Sequence, residues 1–143
     1  KTSSIANAAT LADVDVSGVK IAAQPGTFHE KALKEQTSNC QKVDNLVDFV
    51  AMQMALSAGA ITGYISEKPT AMAFCSDPDS EYTYVDLKNN VTGFVTAEGD
   101  TAIAMGFKKG NTLVDSVSTY LNTLTASDWS TLMNQMVAIA PAE

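Results

Sequence analysis

The chain has 143 residues and a formal charge of −7, with 45% apolar and 17% charged residues. This length and composition predict one globular domain with a core and exclude an intrinsically disordered chain. The acidic balance argues against binding to nucleic acid, whose phosphates need a basic face, and against an anionic membrane surface. The apolar runs are too short to span a bilayer, and no signal peptide is visible.

The first half of the chain predicts strands that alternate with helices. Strands are expected at residues 19–24, 40–43 and 61–66, and helices at residues 28–36, 46–58 and 69–75. The clearest helix is the second, in which Phe49, Val50 and Met54 recur at helical spacing before a glycine. Pro69 suits the first turn of the third helix.

The second half predicts two more strands and two final helices. Alternating side chains indicate strands at residues 82–87 and 101–107, with a loop between them. Asn111 is expected to cap the first final helix and Ser127 the second, which Pro141 ends.

This order of elements predicts an α/β fold with a mostly parallel sheet and helices on both faces. In such sheets a ligand binds beyond the carboxyl ends of the strands. Two segments are therefore candidates for a binding site, at residues 24–28 and 66–68.

The first candidate is the junction between a strand and a helix. Thr27 and Glu30 have the spacing of a capping box, in which each side chain bonds the backbone amide of the other residue. The unpaired amides and the dipole at such a helix start favour an anion, and Gly26 allows close approach. The loop matches neither GxxxxGK[ST] nor GxGxxG, so one small carboxylate or phosphate fits better than a nucleotide. The structural alternative is that Thr27 only caps its helix.

The second candidate is Glu67, which directly follows a predicted core strand. A carboxylate there costs desolvation unless it gains a partner, and a ligand ammonium group would supply one. The structural alternatives are Lys68 or a nearby amide. One candidate favours a carboxylate and the other an ammonium, and an α-amino acid carries both.

Three segments resemble the type II periplasmic-type amino-acid-binding proteins. ADVDVSGVKIAAQPGTFHEKAL (residues 12–33) is similar to the opening of the second lobe in that family. MQMALSAGAITGYISEKPTAMAF (residues 52–74) is similar to a later part of the lobe, and DTAIAMGFKKGNTLVDSVSTYLNTL (residues 100–124) to the segment that returns to the first lobe. The matches follow the family's order and spacing over nearly the whole chain, and are nearest to lipid-anchored receptors of Gram-positive amino-acid ABC transporters.

The resemblance implies two lobes that close on a ligand. Residues 1–100 would form the second, ligand-binding lobe, and residues 101–143 the return strand and C-terminal helices of the first lobe. Thr27 would hold the α-carboxylate and Glu67 the α-amino group. The other expected ligand-binding residues are Gln24, Gly26 and Phe28. The chain departs from the family at Thr62, where many members have Asp, and at Glu67, where Asp is commoner.

The resemblance also implies the partners. The protein would be an extracellular receptor that binds a polar or basic amino acid (arginine, histidine or glutamine) and docks on an ABC permease, without enzymatic activity, cofactor or metal. Because the first-lobe sequence is missing, the chain is expected to be a fragment, and the helices within residues 111–139 are expected to seek a second copy of the chain. A ligand-sensing ectodomain or interaction module of the same fold stays open as an alternative.

An enzyme is the weaker alternative. His29 could pair with Cys40 or Cys75 as in a thiol hydrolase, but neither cysteine has a nucleophile motif around it. The sequence indicates a solvated surface position for His29 and a capping role for Glu30. The two cysteines with one histidine have no zinc-site spacing and are expected to be small buried residues, and a disulfide between them stays open as the alternative.

Overall fold

The computed structural model describes residues 3–102 and 104–139. Within them the fold is α/β, with a small parallel sheet and seven helices. The strands are β1 (Lys20–Ala22), β2 (Gln41–Val43) and β3 (Gly63–Tyr64). The helices are α1 (Leu11–Val14), α2 (Phe28–Gln36), α3 (Phe49–Ser57), α4 (Lys68–Phe74), α5 (Glu98–Thr101), α6 (Val114–Leu121) and α7 (Ala126–Ile139).

The sheet has the order β2-β1-β3, and both pairs of strands are parallel. In the central strand, Ile21 lies opposite Lys42 on one side and Gly63 on the other. The Thr62 hydroxyl accepts a hydrogen bond from the Lys20 amide at 3.0 Å, which fixes the start of β3 to β1. The Thr62 side chain therefore stabilises the pairing of β3 with β1. The three strands expected in the first half are confirmed, although each is shorter than predicted.

Two apolar clusters lie on opposite faces of the sheet. Ile21 packs in a cluster with Leu33 of α2, whereas the next residue, Ala22, packs with Met52 of α3. Successive side chains of a strand point to opposite faces, so the single central strand serves both clusters. The expected arrangement of helices on both faces is confirmed for α2 and α3.

Asp15 joins the end of α1 to the turn that precedes β2. Its carboxylate accepts hydrogen bonds from the amides of Ser38, Asn39 and Cys40 at 2.8 to 3.1 Å. Burial of this carboxyl group raises its pKa, but the three amides outweigh burial and lower the pKa from 3.8 to about 2. The charged form of Asp15 therefore stabilises the turn.

Two hydrogen bonds connect α2 to the segment that follows the sheet. The Gln36 side-chain amide donates to the Val95 carbonyl at 2.8 Å, and its oxygen accepts from the Val95 amide at 2.7 Å. One side chain thus satisfies both backbone groups of an exposed residue.

The strands expected at residues 82–87 and 101–107 are wrong for the residues that the structure describes, which exclude Ile103. Alternation indicates a half-buried face but does not supply an edge to pair with. Residues 82–87 are instead held by side chains, since Tyr82 meets the Ser57 hydroxyl at 2.7 Å and Asp86 meets Lys68 at 2.5 Å.

Helix starts also differ from the prediction. Asp48 caps α3 by accepting from the Ala51 amide at 2.8 Å, so this helix begins later than the apolar periodicity suggests. Helix α7 begins at a capping box between Thr125 and Asp128, and Ser127 lies inside the helix. The expected stop at Pro141 lies outside the described residues.

The C-terminal helices expose their apolar side chains. Helix α7 contacts α4, but neither α6 nor α7 contains a buried residue. The larger exposed apolar side chains of α7 are Trp129, Leu132, Met133, Met136 and Ile139. These side chains therefore form an exposed apolar surface on α7.

Candidate ligand-binding site

The two candidate segments meet at one edge of the sheet. Strands β1 and β3 are neighbouring and parallel, so the loops that follow them leave the sheet at the same end. The Nε2 atom of His29, just inside α2, lies 3.7 Å from the Oε1 atom of Glu67. The two candidate segments therefore lie beside each other in the structure.

The loop after β1 closes on itself before α2 begins. Gly26 has a φ of 76°, a conformation that disfavours any residue with a Cβ atom. Its amide donates to Glu30 Oε2 at 2.8 Å, so Glu30 reaches back to Gly26 and not to the expected amide of Thr27. A hydrogen bond from Lys34, followed by the Gly26 amide, lowers the pKa of Glu30 and keeps it charged.

The Thr27 hydroxyl is already engaged in this loop. It donates to the Gln24 carbonyl at 2.7 Å and accepts from the Glu30 amide at 3.4 Å. Thr27 therefore caps α2, as the structural alternative expected, and its proton is not free for a ligand in this arrangement. The amides of Phe28 and His29, by contrast, donate to no atom of the described residues.

Glu67 is the N-cap residue of α4, but its side chain makes no capping hydrogen bond. The side chain is 54% exposed, and Lys68, an expected partner, pairs with Asp86 instead. Within residues 3–102 and 104–139, the Glu67 carboxylate makes no hydrogen bond, and His29 is its one ionisable neighbour within ion-pair distance. The carboxylate is thus placed to accept a donor from outside the chain.

His29 is the residue that sequence reasoning placed wrongly. It is 7% exposed, and with Ala32 and Leu33 it forms the buried face of α2. The spacing of these three residues is that of a helix face turned toward a core, which is the signal that would have revealed it. Burial lowers the pKa of His29 and outweighs the opposing effect of Glu67, so the imidazole is neutral at neutral pH.

A cleft of about 690 Å³ opens beside this pair. Phe28, His29 and Glu67 line it, and so do the aromatic rings of Phe74 and Tyr82, which are stacked 4.9 Å apart. Its wall is mainly apolar with a few charged groups, which is typical of a small-molecule site.

Three expected site residues lie outside this cleft. Gln24, Gly26 and Thr27 do not line it; Gln24 and Thr27 are half-buried, and Gly26 is exposed. Phe28 and Glu67 are the two expected residues that the cleft brings together.

The described residues contain no cluster of His, Cys, Asp and Glu side chains that could hold a metal ion. Cys40 is a buried free thiol, 3.5 Å from the Thr37 hydroxyl. It therefore packs as a small core residue, as expected. Among the residues described, no helix has the length and apolar character needed to cross a bilayer.

Comparison of the chain with family models, with curated proteins and with solved structures found no match. The resemblance to amino-acid-binding proteins therefore remains an interpretation of the sequence motifs.

Proposed function

We propose that this chain forms the ligand-binding lobe of an extracellular receptor that delivers a polar or basic amino acid to an ABC permease. The observation that carries the proposal is the pairing of complementary groups at one sheet edge. Unused amides of Phe28 and His29 lie at the start of α2, and the Glu67 carboxylate lies beside His29 without a hydrogen bond.

The amides supply the carboxylate half of the site. Helix α2 has nine residues, and its first amides carry the positive end of the helix dipole. A carboxylate is stabilised there by hydrogen bonds and by the dipole together. Gly26 supports this role, because the space around its α-carbon is open.

Glu67 supplies the ammonium half. A hydrogen bond between an ammonium and a carboxylate contributes about 1.5–3 kcal/mol when water is excluded. The exposed Glu67 would gain this only when a second lobe closes over the ligand. Binding would therefore be linked to a hinge motion in which the ligand stabilises the closed form, which then docks on the permease. The linkers near residues 1–10 and 97–103 are the proposed hinges.

A thermal-shift panel of the common amino acids on the complete gene product tests the proposal. A ligand that binds only the folded state stabilises it by about 2.7 kcal/mol at a concentration one hundred times its Kd. We expect a shift for arginine, histidine or glutamine. No shift for any amino acid, in a protein that unfolds cooperatively, would refute the proposal.

Paired variants locate the site once a ligand is known. Glu67→Gln should weaken binding about tenfold or more, since it removes the charge that the ammonium needs. The control is Glu35→Gln, on the exposed side of α2, which should leave Kd unchanged. Equal Kd values for both variants would mean that the ligand ammonium does not bind at Glu67.

A further inference from the structure

His29 is a buried polar side chain to which the proposed function assigns no role. Its side chain is 8% exposed, lines the cleft, and lies 3.7 Å from the carboxylate that would receive the ligand ammonium. This distance is too long for a hydrogen bond but short enough for strong interaction between charges.

We propose, on the basis of the proposed function, that His29 is a positioning residue that makes ligand capture sensitive to acid, because protonated His29 competes with the ligand ammonium for Glu67. When His29 is neutral, the Glu67 carboxylate keeps its full negative charge, and its lone pairs can accept hydrogen bonds from the ligand. In the protonated state the imidazolium neutralises Glu67 from inside the protein and repels a second cation. The ligand ammonium and the imidazole proton thus exclude each other.

The surroundings of His29 make Glu67 its controlling neighbour. The other charged groups that line the cleft are Lys68, Asp86, Lys88 and Asp100. The first two pair with each other at 2.5 Å. On α2 itself, Glu30 is held by hydrogen bonds from Gly26 and Lys34. The phenol and thiol groups of the cleft wall are Tyr64, Tyr82, Tyr84, Cys40 and Cys75.

The direction of the effect follows from the competition. Burial lowers the pKa of His29, so the site is competent at neutral pH and loses ligand on acidification. If proton and ligand exclude each other, the apparent Kd rises about tenfold for each pH unit below the pKa of His29. By the same linkage, bound ligand must lower the pKa of His29 further.

The test uses the complete gene product with L-glutamine and L-arginine as probes, because neither side chain titrates between about pH 5 and 7.5. Isothermal titration calorimetry in two buffers of different ionisation enthalpy measures Kd and the protons released on binding. We expect proton release near the pKa of His29 in the wild-type protein. We expect a flatter pH profile and no such release in His29→Gln.

An NMR titration keeps the inference testable if His29→Gln fails to fold. His29 is the only histidine among the 143 residues, and in the complete gene product its imidazole signal is assigned by through-bond correlation from its own backbone amide. Saturating probe must lower the pKa of His29 in the wild-type protein. An unchanged pKa, or a His29→Gln profile as steep as the wild type, would overturn the inference and leave the proposed function intact. Absence of binding by every amino acid at neutral pH would instead refute the proposed function.

Discussion

Replacing Asp15 by Asn tests whether a charged carboxylate holds α1 against the turn before β2. Asp15 accepts from the three consecutive amides of residues 38–40. Asn has nearly the same shape but has no charge and only one acceptor oxygen. The variant should therefore weaken the hydrogen bonds without opening a cavity.

The expected loss is about 1 kcal/mol at neutral pH. Lowering the pKa of Asp15 from 3.8 to about 2 corresponds to at most about 2.5 kcal/mol of stabilisation, at about 1.4 kcal/mol per unit. Because this carboxylate touches solvent, screening reduces the figure by about half. The loss should appear as a lower urea midpoint with an unchanged slope.

The sign of the pH dependence distinguishes charge from shape. The pKa is lower in the folded state, so the stabilisation is complete above pH 3.8 and disappears as the pH falls toward about 2. The difference between wild type and Asp15→Asn should shrink over that window. Asp79→Asn, on an exposed turn, is the control and should change little at any pH. A loss that is the same at neutral and acidic pH would refute the role of the charge.

Three further changes test separate parts of the structure. Glu67→Gln should lower the pKa of His29 in an NMR titration, because burial then acts on the imidazole without the opposing carboxylate. Met52→Ala should reduce the free energy of unfolding by about 2–5 kcal/mol in urea denaturation, because Met52 is fully buried. Gln36→Ala should speed hydrogen exchange at the Val95 amide, because that amide loses its acceptor.

Each of these variants has a matched control. Glu35→Gln should leave the histidine titration unchanged, since Glu35 is exposed on the same helix as His29. Met54→Ala, at a side chain in α3 that is 68% exposed, should cost well under 1 kcal/mol. Gln41→Ala should leave exchange at Val95 unaltered. A rise in the pKa of His29 would contradict its interaction with Glu67. Equal losses of unfolding free energy for the two methionine variants would contradict the burial of Met52. Unchanged hydrogen exchange in Gln36→Ala would contradict the hydrogen bond from the Val95 amide.

The first half of the fold was predictable because local and long-range signals agree there. Thr27 starts α2 as its capping pattern indicates, and the buried run around Ile21 forms the central strand. The only signal in residues 82–87 is the alternation of their side chains, and the position of this segment depends on distant partners such as Ser57. Sequence periodicity holds no information about such a partner.

The candidate site was predictable at the level of its strand ends but not of its contacts. The rule for parallel sheets locates Glu67 and the start of α2 at one edge. It does not indicate that His29 turns inward, because a polar residue in the first turn of a helix is usually solvated. Nor does it indicate that the Thr27 proton goes to the Gln24 carbonyl.

The exposed position of Trp129 gives the protein an intrinsic fluorescent reporter. Trp129 is the only tryptophan in the chain, and it is 47% exposed on α7. Helix α7 contacts α4, the helix that begins directly after Glu67. Its emission responds to the polarity around the indole ring. A blue shift with increasing protein concentration would indicate that a second copy covers α7, and a shift on adding ligand would indicate that α4 has moved.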